Sequence, residues 1–132
     1  MPIHLMIVDD HELVREGLRL LLEGTDIQIV AEADNGQSAF EQLQKTRVDV
    51  ALVDVRMPRV DGFQFLEMLR AAGLSLPVVL MHSVQDGSNV IRRCMELGAK
   101  GLLPKGQEKE ALIAALHRVH GGQQLWNDSS AS

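Results

Sequence analysis

Five short apolar segments, each followed by a segment with helical periodicity, constrain this chain more than any other feature. The apolar segments are nearly continuous, as buried parallel strands are, whereas the intervening segments repeat their apolar residues three and four positions apart. Strands that alternate with helices form a parallel sheet with helices on both faces, joined by right-handed crossovers. The pattern therefore predicts an α/β fold, a doubly wound (βα)5 sandwich.

The boundaries of the predicted elements fall at glycines, prolines and acidic turns. We predict strands over residues 3–8, 27–33, 48–53, 77–82 and 99–103, and helices over about 12–23, 37–46, 61–72, 87–97 and 108–120. The second strand alternates in part, so we expect it nearer an edge of the sheet. Residues 1–125 are predicted to form one domain, and 126–132 a disordered tail or the start of a linker.

Periodicity also predicts which helix faces are buried. For the third helix the predicted apolar face is Phe63, Leu66, Met68 and Leu69. For the last helix the predicted buried residues are Leu112, Ala115, Leu116 and Val119.

Polar side chains follow four of the predicted strands, at the points where those strands end. They are Asp9 and Asp10 after the first strand, Asp54 after the third, Ser83 after the fourth and Lys105 after the fifth. Because parallel strands end at one edge of the sheet, where open α/β folds bind ligands, we expect these groups to converge. Three close carboxylates recruit a proton or a cation, and oxygen ligands suit Mg²⁺. An aspartate among them is suited to act as a nucleophile in phosphoryl transfer.

Each of these residues has a structural explanation when it is taken alone. Two aspartates after a strand commonly cap a turn or a helix, and an aspartate before a proline-containing loop commonly begins that loop. An isolated serine or lysine is commonly a surface residue. Such explanations would require five independent coincidences at strand ends, so the combination points to a site although its parts do not.

Composition argues against several other classes of function. The formal net charge of −5, with 13 scattered Lys and Arg residues, argues against a nucleic-acid surface. A single cysteine, Cys94, excludes an internal disulfide and suits a reducing compartment. Because no apolar run reaches membrane-spanning length, we expect a soluble cytoplasmic domain with no membrane partner.

Several motifs resemble the receiver domain of bacterial two-component response regulators. The matching segments are residues 7–11 (IVDDH), 52–58 (LVDVRMP), 61–62 (DG), 80–83 (LMHS), 97–101 (LGAKG) and Lys105. Residues 10–18 (DHELVREGL) and 120–126 (HGGQQLW) are similar to the NarL/LuxR-type branch. The resemblance covers residues 3 to about 125 and implies a flavodoxin-like fold with strand order 2-1-3-4-5.

The resemblance further implies how a phosphoryl group is accepted. Asp54 would take it from a sensor histidine kinase, in the presence of Mg²⁺ as the cofactor. Asp10 would bind Mg²⁺ directly and Asp9 mainly through water, and the backbone carbonyl of Arg56 would complete the protein's ligands beside Asp54.

The remaining site residues would contact or tune the phosphoryl group. Ser83 would donate a hydrogen bond to it, and Lys105 would pair with its charge. Arg56 and Gln85, two positions beyond the phosphoacceptor and the hydroxyl, would modulate dephosphorylation.

The hydroxyl position can be assigned in two ways. Counting along the strand from Pro77 places His82 there, whereas counting back from Lys105 places Ser83 there. We prefer Ser83, because it has a hydroxyl that can donate to a phosphoryl oxygen in a small site. His82 is then either a packed neighbour or a rim residue that modulates the site.

Two further positions depart from the family's pattern. Leu102, three residues before Lys105, stands where receivers often have tyrosine or phenylalanine, so an aromatic switch at that position is lacking. Pro104 precedes the lysine, whereas many receivers have proline after it. We expect Pro104 to limit strand pairing and the reach of Lys105.

The leading hypothesis is a phosphoacceptor domain that signals through a conformational or oligomeric shift, with a homodimer as a possible outcome. It would act on DNA only through a helix-turn-helix domain, which normally follows in this branch and is not in this chain. The alternative is a pseudo-receiver that docks partners without being phosphorylated. A phosphohydrolase would want a second carboxylate two residues after the nucleophile, where Arg56 stands. We therefore predict a phosphoacceptor rather than a turnover enzyme.

Overall fold

The computed structural model describes residues 2–84 and 87–126. Strands and helices alternate along these residues, as predicted. The strands are β1 (Ile3–Val8), β2 (Ile27–Ala33), β3 (Val50–Asp54), β4 (Val78–Ser83) and β5 (Gly101–Pro104). The helices are α1 (Glu12–Leu22), α2 (Gly36–Leu43), α3 (Gly62–Ala71), α4 (Ser88–Glu96) and α5 (Lys109–His120).

The five strands form one parallel sheet in the order β2-β1-β3-β4-β5. This is the predicted order, and β2 lies at an edge as its alternating pattern indicated. β3 lies at the centre, and all five of its residues are buried. A central position explains why the sequence of β3 is almost continuously apolar, since helices cover both of its faces.

Alternate residues of the strands point into two separate cores, one on each face of the sheet. One core packs against α2, α3 and α4 and contains Val53, Met81 and Leu102. The other packs against α1 and α5 and contains Leu52 and Leu80. The two-sided core confirms the predicted doubly wound sandwich.

Periodicity predicted one helix face fully and another only in part. All four residues predicted for the inner face of α5 are buried. In α3 the predicted Leu66 and Leu69 are buried, whereas Phe63 and Met68 are only partly buried, and Phe65, which was not predicted, is fully enclosed. Phe63 packs against the core beneath the guanidinium of Arg93, whose Cζ is 4.4 Å from the ring centroid. The axial rotation of a helix depends on its contacts with the sheet, which periodicity does not report.

The start of α3 is fixed by a capping box. Asp61 accepts a hydrogen bond from the backbone N–H of Gln64, whose side chain accepts one from the backbone N–H of Asp61, both at 2.9 Å. At Gly62 a Cβ atom would lie 2.5 Å from the backbone oxygen of Asp54, so only glycine allows α3 to begin this close to β3. The loop after Asp54 is thereby held against the sheet.

Strand boundaries differ from the predictions by one or two residues. β3 begins at Val50 rather than 48, because the carboxylate of Asp49 turns to accept the backbone N–H of His4 at 2.9 Å. β5 begins at Gly101, because Gly98 has a positive φ of 96° and the residues after it close α4. Of the predicted 126–132 tail, only Trp126 lies within the described residues.

In the described parts of the chain, no helix has both the length and the apolar character that crossing a membrane would require.

Candidate functional site

The predicted site residues meet at the C-terminal edge of the sheet. Asp9 and Asp10 directly follow β1, Asp54 ends β3, Ser83 ends β4, and Lys105 directly follows β5. Single ligand atoms from Asp9, Asp10, His11 and Asp54 lie within 4.8 Å of one another. Residues up to 96 positions apart in sequence are thus brought to one place by the parallel sheet.

Lys105 lies between two buried carboxylates. Its Nζ is 2.9 Å from Asp9 Oδ2 and 3.2 Å from Asp54 Oδ2. Burial acts to lower the pKa of Lys105, but the hydrogen bonds and charges of the two aspartates outweigh it and raise that pKa. Pro104 therefore does not hold the lysine away from the site. Pairing with β4 does not need an N–H from Pro104, because the N–H of the next residue, Lys105, donates to the carbonyl of Ser83 at 3.0 Å.

Asp54 is a strongly buried carboxylate with an opposing charge beside it. Its side chain is 6% exposed, and Oδ1 accepts the backbone N–H of Arg56 at 3.3 Å. Burial and the negative charge of Asp9 raise the pKa of Asp54, while Lys105 and the Arg56 N–H act to lower it. A further cation at the site would stabilise the ionised form of Asp54.

The acidic turn after β1 leaves oxygen atoms in need of partners. The N–H of His11 donates to Asp9 Oδ1 at 2.9 Å and fixes the turn. Asp9 Oδ2 and Asp10 Oδ1 are shielded from solvent; among the described residues Asp9 Oδ2 has only its contact with Lys105 Nζ, and Asp10 Oδ1 accepts no hydrogen bond. The nitrogen atoms beside them are Lys105 Nζ, at 2.9 Å from Asp9 Oδ2, and His11 Nδ1, at 3.2 Å from Asp10 Oδ1.

These residues fit a bound Mg²⁺ ion. Shielded carboxylate oxygens from Asp9 and Asp10, together with Asp54, form the hard, anionic donor set that Mg²⁺ prefers. Receiver domains typically bind Mg²⁺ at an acidic pocket, and this chain has such an acidic cluster at the strand ends. The predicted contribution of the Arg56 carbonyl stays a prediction.

His82 and Ser83 are both buried at the end of β4, at 5% and 2% exposure. His82 pairs with Asp54 across the sheet and borders a cleft of about 180 Å³ between α1 and the loop after β5. Burial, and then the charge of Lys105, lower the pKa of His82 to about 4, so it is neutral at pH 7. The assignment of the hydroxyl role to Ser83, and of a modulating role to His82, stays a prediction.

The two other predicted modulating positions are less informative. The side chain of Arg56 is exposed at the start of the loop after β3. Gln85 lies outside the described residues.

Sequence reasoning missed two residues beside the acidic turn. His11 places its imidazole Nδ1 at 3.2 Å from one oxygen each of Asp9 and Asp10. Arg15, in the first turns of α1, donates to the backbone carbonyl of Asp9 and also pairs with Glu32 at 3.2 Å. The available signal for Arg15 was a cation one helical turn beyond His11, but its target is a backbone atom that no sequence pattern marks.

Comparison with known proteins identifies the class of this fold and site. The family model for the response regulator receiver domain matches residues 5–117. The chain belongs to the response regulator receiver domain family.

Individual relatives place the chain in the NarL/LuxR-type branch, as the motifs indicated. The nitrate/nitrite response regulator protein NarP of Escherichia coli is 34% identical over 128 residues, which are 96% of this chain and 59% of NarP. The transcriptional regulatory protein LnrK of Bacillus subtilis is 34% identical over 121 residues, 91% of this chain and 54% of LnrK. The chain thus spans little more than half of these relatives.

A solved structure agrees in fold along almost all of its length. The signal receiver domain of the putative response regulator NarL from Mycobacterium tuberculosis superposes with a TM-score of 0.85 at 32% sequence identity. The match covers 92% of this chain and 98% of that domain. The chain is therefore the receiver domain of a NarL-type response regulator, a regulatory module of two-component systems.

Proposed function

We propose that this domain accepts a phosphoryl group on Asp54 from the phosphohistidine of a sensor histidine kinase. The observation that carries the proposal is the placement of Asp54 Oδ2 at 3.2 Å from Lys105 Nζ, inside a cluster of carboxylates that have shielded oxygens. In the reaction an oxygen of Asp54 attacks the phosphorus atom. The new O–P bond forms as the P–N bond breaks, and the electron pair leaves with the imidazole nitrogen, which takes a proton from solvent.

The residues around Asp54 supply position and charge. Bound Mg²⁺, held by Asp9, Asp10 and Asp54, would neutralise charge on the phosphoryl oxygens. Lys105 would pair with one phosphoryl oxygen as a point charge, and Ser83 would donate a hydrogen bond to another. The protein thereby catalyses its own phosphorylation and later hydrolysis, and acts as a phosphoacceptor rather than as an enzyme that turns over a substrate.

Intact mass spectrometry after incubation with acetyl phosphate and Mg²⁺ tests this proposal. We expect the mass of one phosphoryl group to be added, and the gain to disappear in Asp54→Asn or when a chelator removes Mg²⁺. Asp34→Asn, which changes an exposed carboxylate in the next loop, should leave the gain intact. A wild-type protein that gains no phosphoryl group would instead favour a docking module that is not phosphorylated.

The output of the domain extends the proposal to the whole protein. Because the match covers only 59% of NarP and 54% of LnrK, and LnrK is a transcriptional regulatory protein, we propose that a DNA-binding domain beyond this chain carries the response. Phosphorylation would shift the receiver between conformational or dimeric states and so bias that domain. The kinase would reach the domain in the cytoplasm.

A further inference from the structure

The segment after α5 returns to the sheet and binds the free edge of β5. We call residues 123–126 the C-terminal strap. The N–H of Leu125 donates to the carbonyl of Lys100 at 2.8 Å, and the N–H of Leu102 donates to the carbonyl of Leu125 at 3.0 Å. The strap is thus attached to the same strand that leads into Lys105.

The close contact between the strap and β5 depends on the glycine at position 101. At Gly101 a Cβ atom would lie 2.6 Å from the carbonyl oxygen of Leu125 and 2.9 Å from its Cβ, so glycine is required for the strap to bind this closely. Two positions beyond Leu102, Pro104 has no N–H to offer a longer ladder. The attachment thus combines two backbone hydrogen bonds with the packing of the partly buried Leu125 and Trp126 side chains, and releasing it would break no hydrogen bond between the five strands of the sheet.

The strap also brings an aromatic ring to β5. Trp126 is partly buried and packs against the core that contains Leu102, and its Nε1 donates to Gln124 Oε1 at 2.8 Å. Leu102 is itself fully buried and cannot supply an aromatic side chain. The ring beside this position comes from the strap and not from β5.

A phosphoryl group at Asp54 would disturb the strand that holds the strap. Asp54 Oδ2 lies 3.2 Å from Lys105 Nζ, so a phosphoryl group on that oxygen would occupy the space that Nζ now fills, and the lysine would have to move to pair with the phosphoryl group. Lys105 is also joined to β4 through its N–H to the Ser83 carbonyl. Three residues of extended backbone, about 10 Å, connect Lys105 to Leu102. A shift of the lysine therefore reaches the two hydrogen bonds of the strap through one short strand.

We propose that the C-terminal strap reads the state of the phosphorylation site, with Trp126 as its aromatic element, and that phosphorylation changes the fraction of molecules in which the strap is docked on β5. This inference rests on the proposed function, because phosphorylation is the event that is read. A coupling of this kind is reciprocal: the site biases the strap, and the strap biases binding at the site.

Trp126 is the one tryptophan of the chain, so its fluorescence reports the strap directly. The emission spectrum and acrylamide quenching are measured before and after acetyl phosphate and Mg²⁺, with intact mass recorded on the same samples. We expect phosphorylated protein to show a changed emission maximum and quenching constant. Asp54→Asn, treated identically, should show neither change.

Hydrogen exchange of the wild-type protein tests the backbone contacts without any substitution in the strap. Peptides that contain the amides of Leu102 and Leu125 should change in protection on phosphorylation. Peptides from β2, at the opposite edge of the sheet, should not change. This measurement keeps the proposal testable if strap variants fold poorly.

A pair of substitutions at one position tests reciprocity. Leu125→Pro removes the N–H that bonds to Lys100, whereas Leu125→Ala keeps both backbone hydrogen bonds. Titration with beryllofluoride and Mg²⁺, a non-covalent mimic of the phosphoryl group, should give an affinity for Leu125→Pro that differs from wild type by about fivefold or more. Leu125→Ala should differ less.

The outcomes separate the two proposals. If the phosphoryl group is added but fluorescence and exchange at the strap stay as they were, the strap proposal is overturned and the proposed function stands. If no phosphoryl group is added, both proposals are rejected. Added phosphoryl with changes at Trp126, Leu102 and Leu125 that vanish in Asp54→Asn supports both.

Discussion

Replacing Lys105 by methionine removes the cation that lies between Asp9 and Asp54 while keeping most of the aliphatic side chain. With Nζ at 2.9 Å and 3.2 Å from the two carboxylates, each Coulomb attraction is about 5 kcal/mol at an effective dielectric constant of about 20. Desolvation of the three groups offsets much of this attraction, and removing one partner of a buried pair typically costs about 3–5 kcal/mol. We expect Lys105→Met to lower the free energy of unfolding by about 3 kcal/mol at pH 7.

The loss should shrink as the pH is lowered. Without Lys105, the pKa of Asp54 rises further, because burial and the charge of Asp9 are then opposed only by the backbone N–H of Arg56. The folded variant then binds a proton more tightly than the unfolded chain does, so its stability increases as the pH falls toward the carboxyl range. The raised pKa of Lys105 in wild type contributes stability that is lost only above about pH 10.5. The charge of Lys105 is therefore constant between pH 5 and pH 7.

Urea unfolding at pH 7 and pH 5 measures both effects. Lys100→Met is the matched control, because this exposed lysine at the other end of β5 should change stability by no more than about 0.5 kcal/mol. A loss of less than about 1 kcal/mol for Lys105→Met at pH 7 would refute the argument. So would a difference from wild type that grows on acidification.

Three further predictions concern the backbone, the acidic turn and the buried imidazole. Gly62→Ala should lower the free energy of unfolding in urea by about 1–3 kcal/mol, because its Cβ would lie 2.5 Å from the backbone oxygen at the end of β3. Gly17→Ala, in α1 with open space around it, should raise that free energy by about 0.5–1 kcal/mol. Equal effects of the two substitutions would contradict this. Arg15→Gln should weaken Mg²⁺ binding about tenfold by calorimetry, because Arg15 holds the backbone carbonyl of Asp9. Arg19→Gln, which removes ion pairs to Glu12 and Glu32, the two glutamates that Arg15 also contacts, should leave Mg²⁺ binding unchanged. His82 takes up its proton near pH 6.5 in the unfolded chain but only near pH 4 in the folded protein. As the pH falls from 6.5 to 4, the free energy of unfolding of wild type should therefore drop by up to about 3 kcal/mol relative to that of His82→Leu. A stability difference between the two proteins that does not change with pH would show that the imidazole is not buried as described.

Local patterns predicted those parts of the fold that depend on one element and its immediate surroundings. The alternation of strands and helices and the inner face of α5 follow from periodicity alone. The choice between Phe63 and Phe65 in α3 does not, because it depends on how closely Gly62 lets the helix approach β3. Periodicity states that a face is buried, and tertiary contacts decide its centre.

The same distinction holds for the candidate site. Strand ends in a parallel sheet are predictable meeting points, so Asp9, Asp54 and Lys105 were identified from sequence and lie together. The contacts of Arg15 were not predictable, because it binds a backbone carbonyl that becomes available only once α1 is seated beside β1. Leu125 pairs with β5 although the whole of α5 lies between them in sequence, and no local sequence pattern predicts such a pairing.

The C-terminal strap also affects how the sheet meets other molecules. A parallel sheet ends in a strand with unpaired N–H and carbonyl groups, and such an edge is a template for pairing with another chain. With Leu125 in place, the outward-facing groups of Lys100 and Leu102 are used within the molecule, and Pro104 contributes no donor. A released strap would expose a short adhesive edge on β5. The protein's tendency to self-associate would then rise and fall with the docking of a single residue.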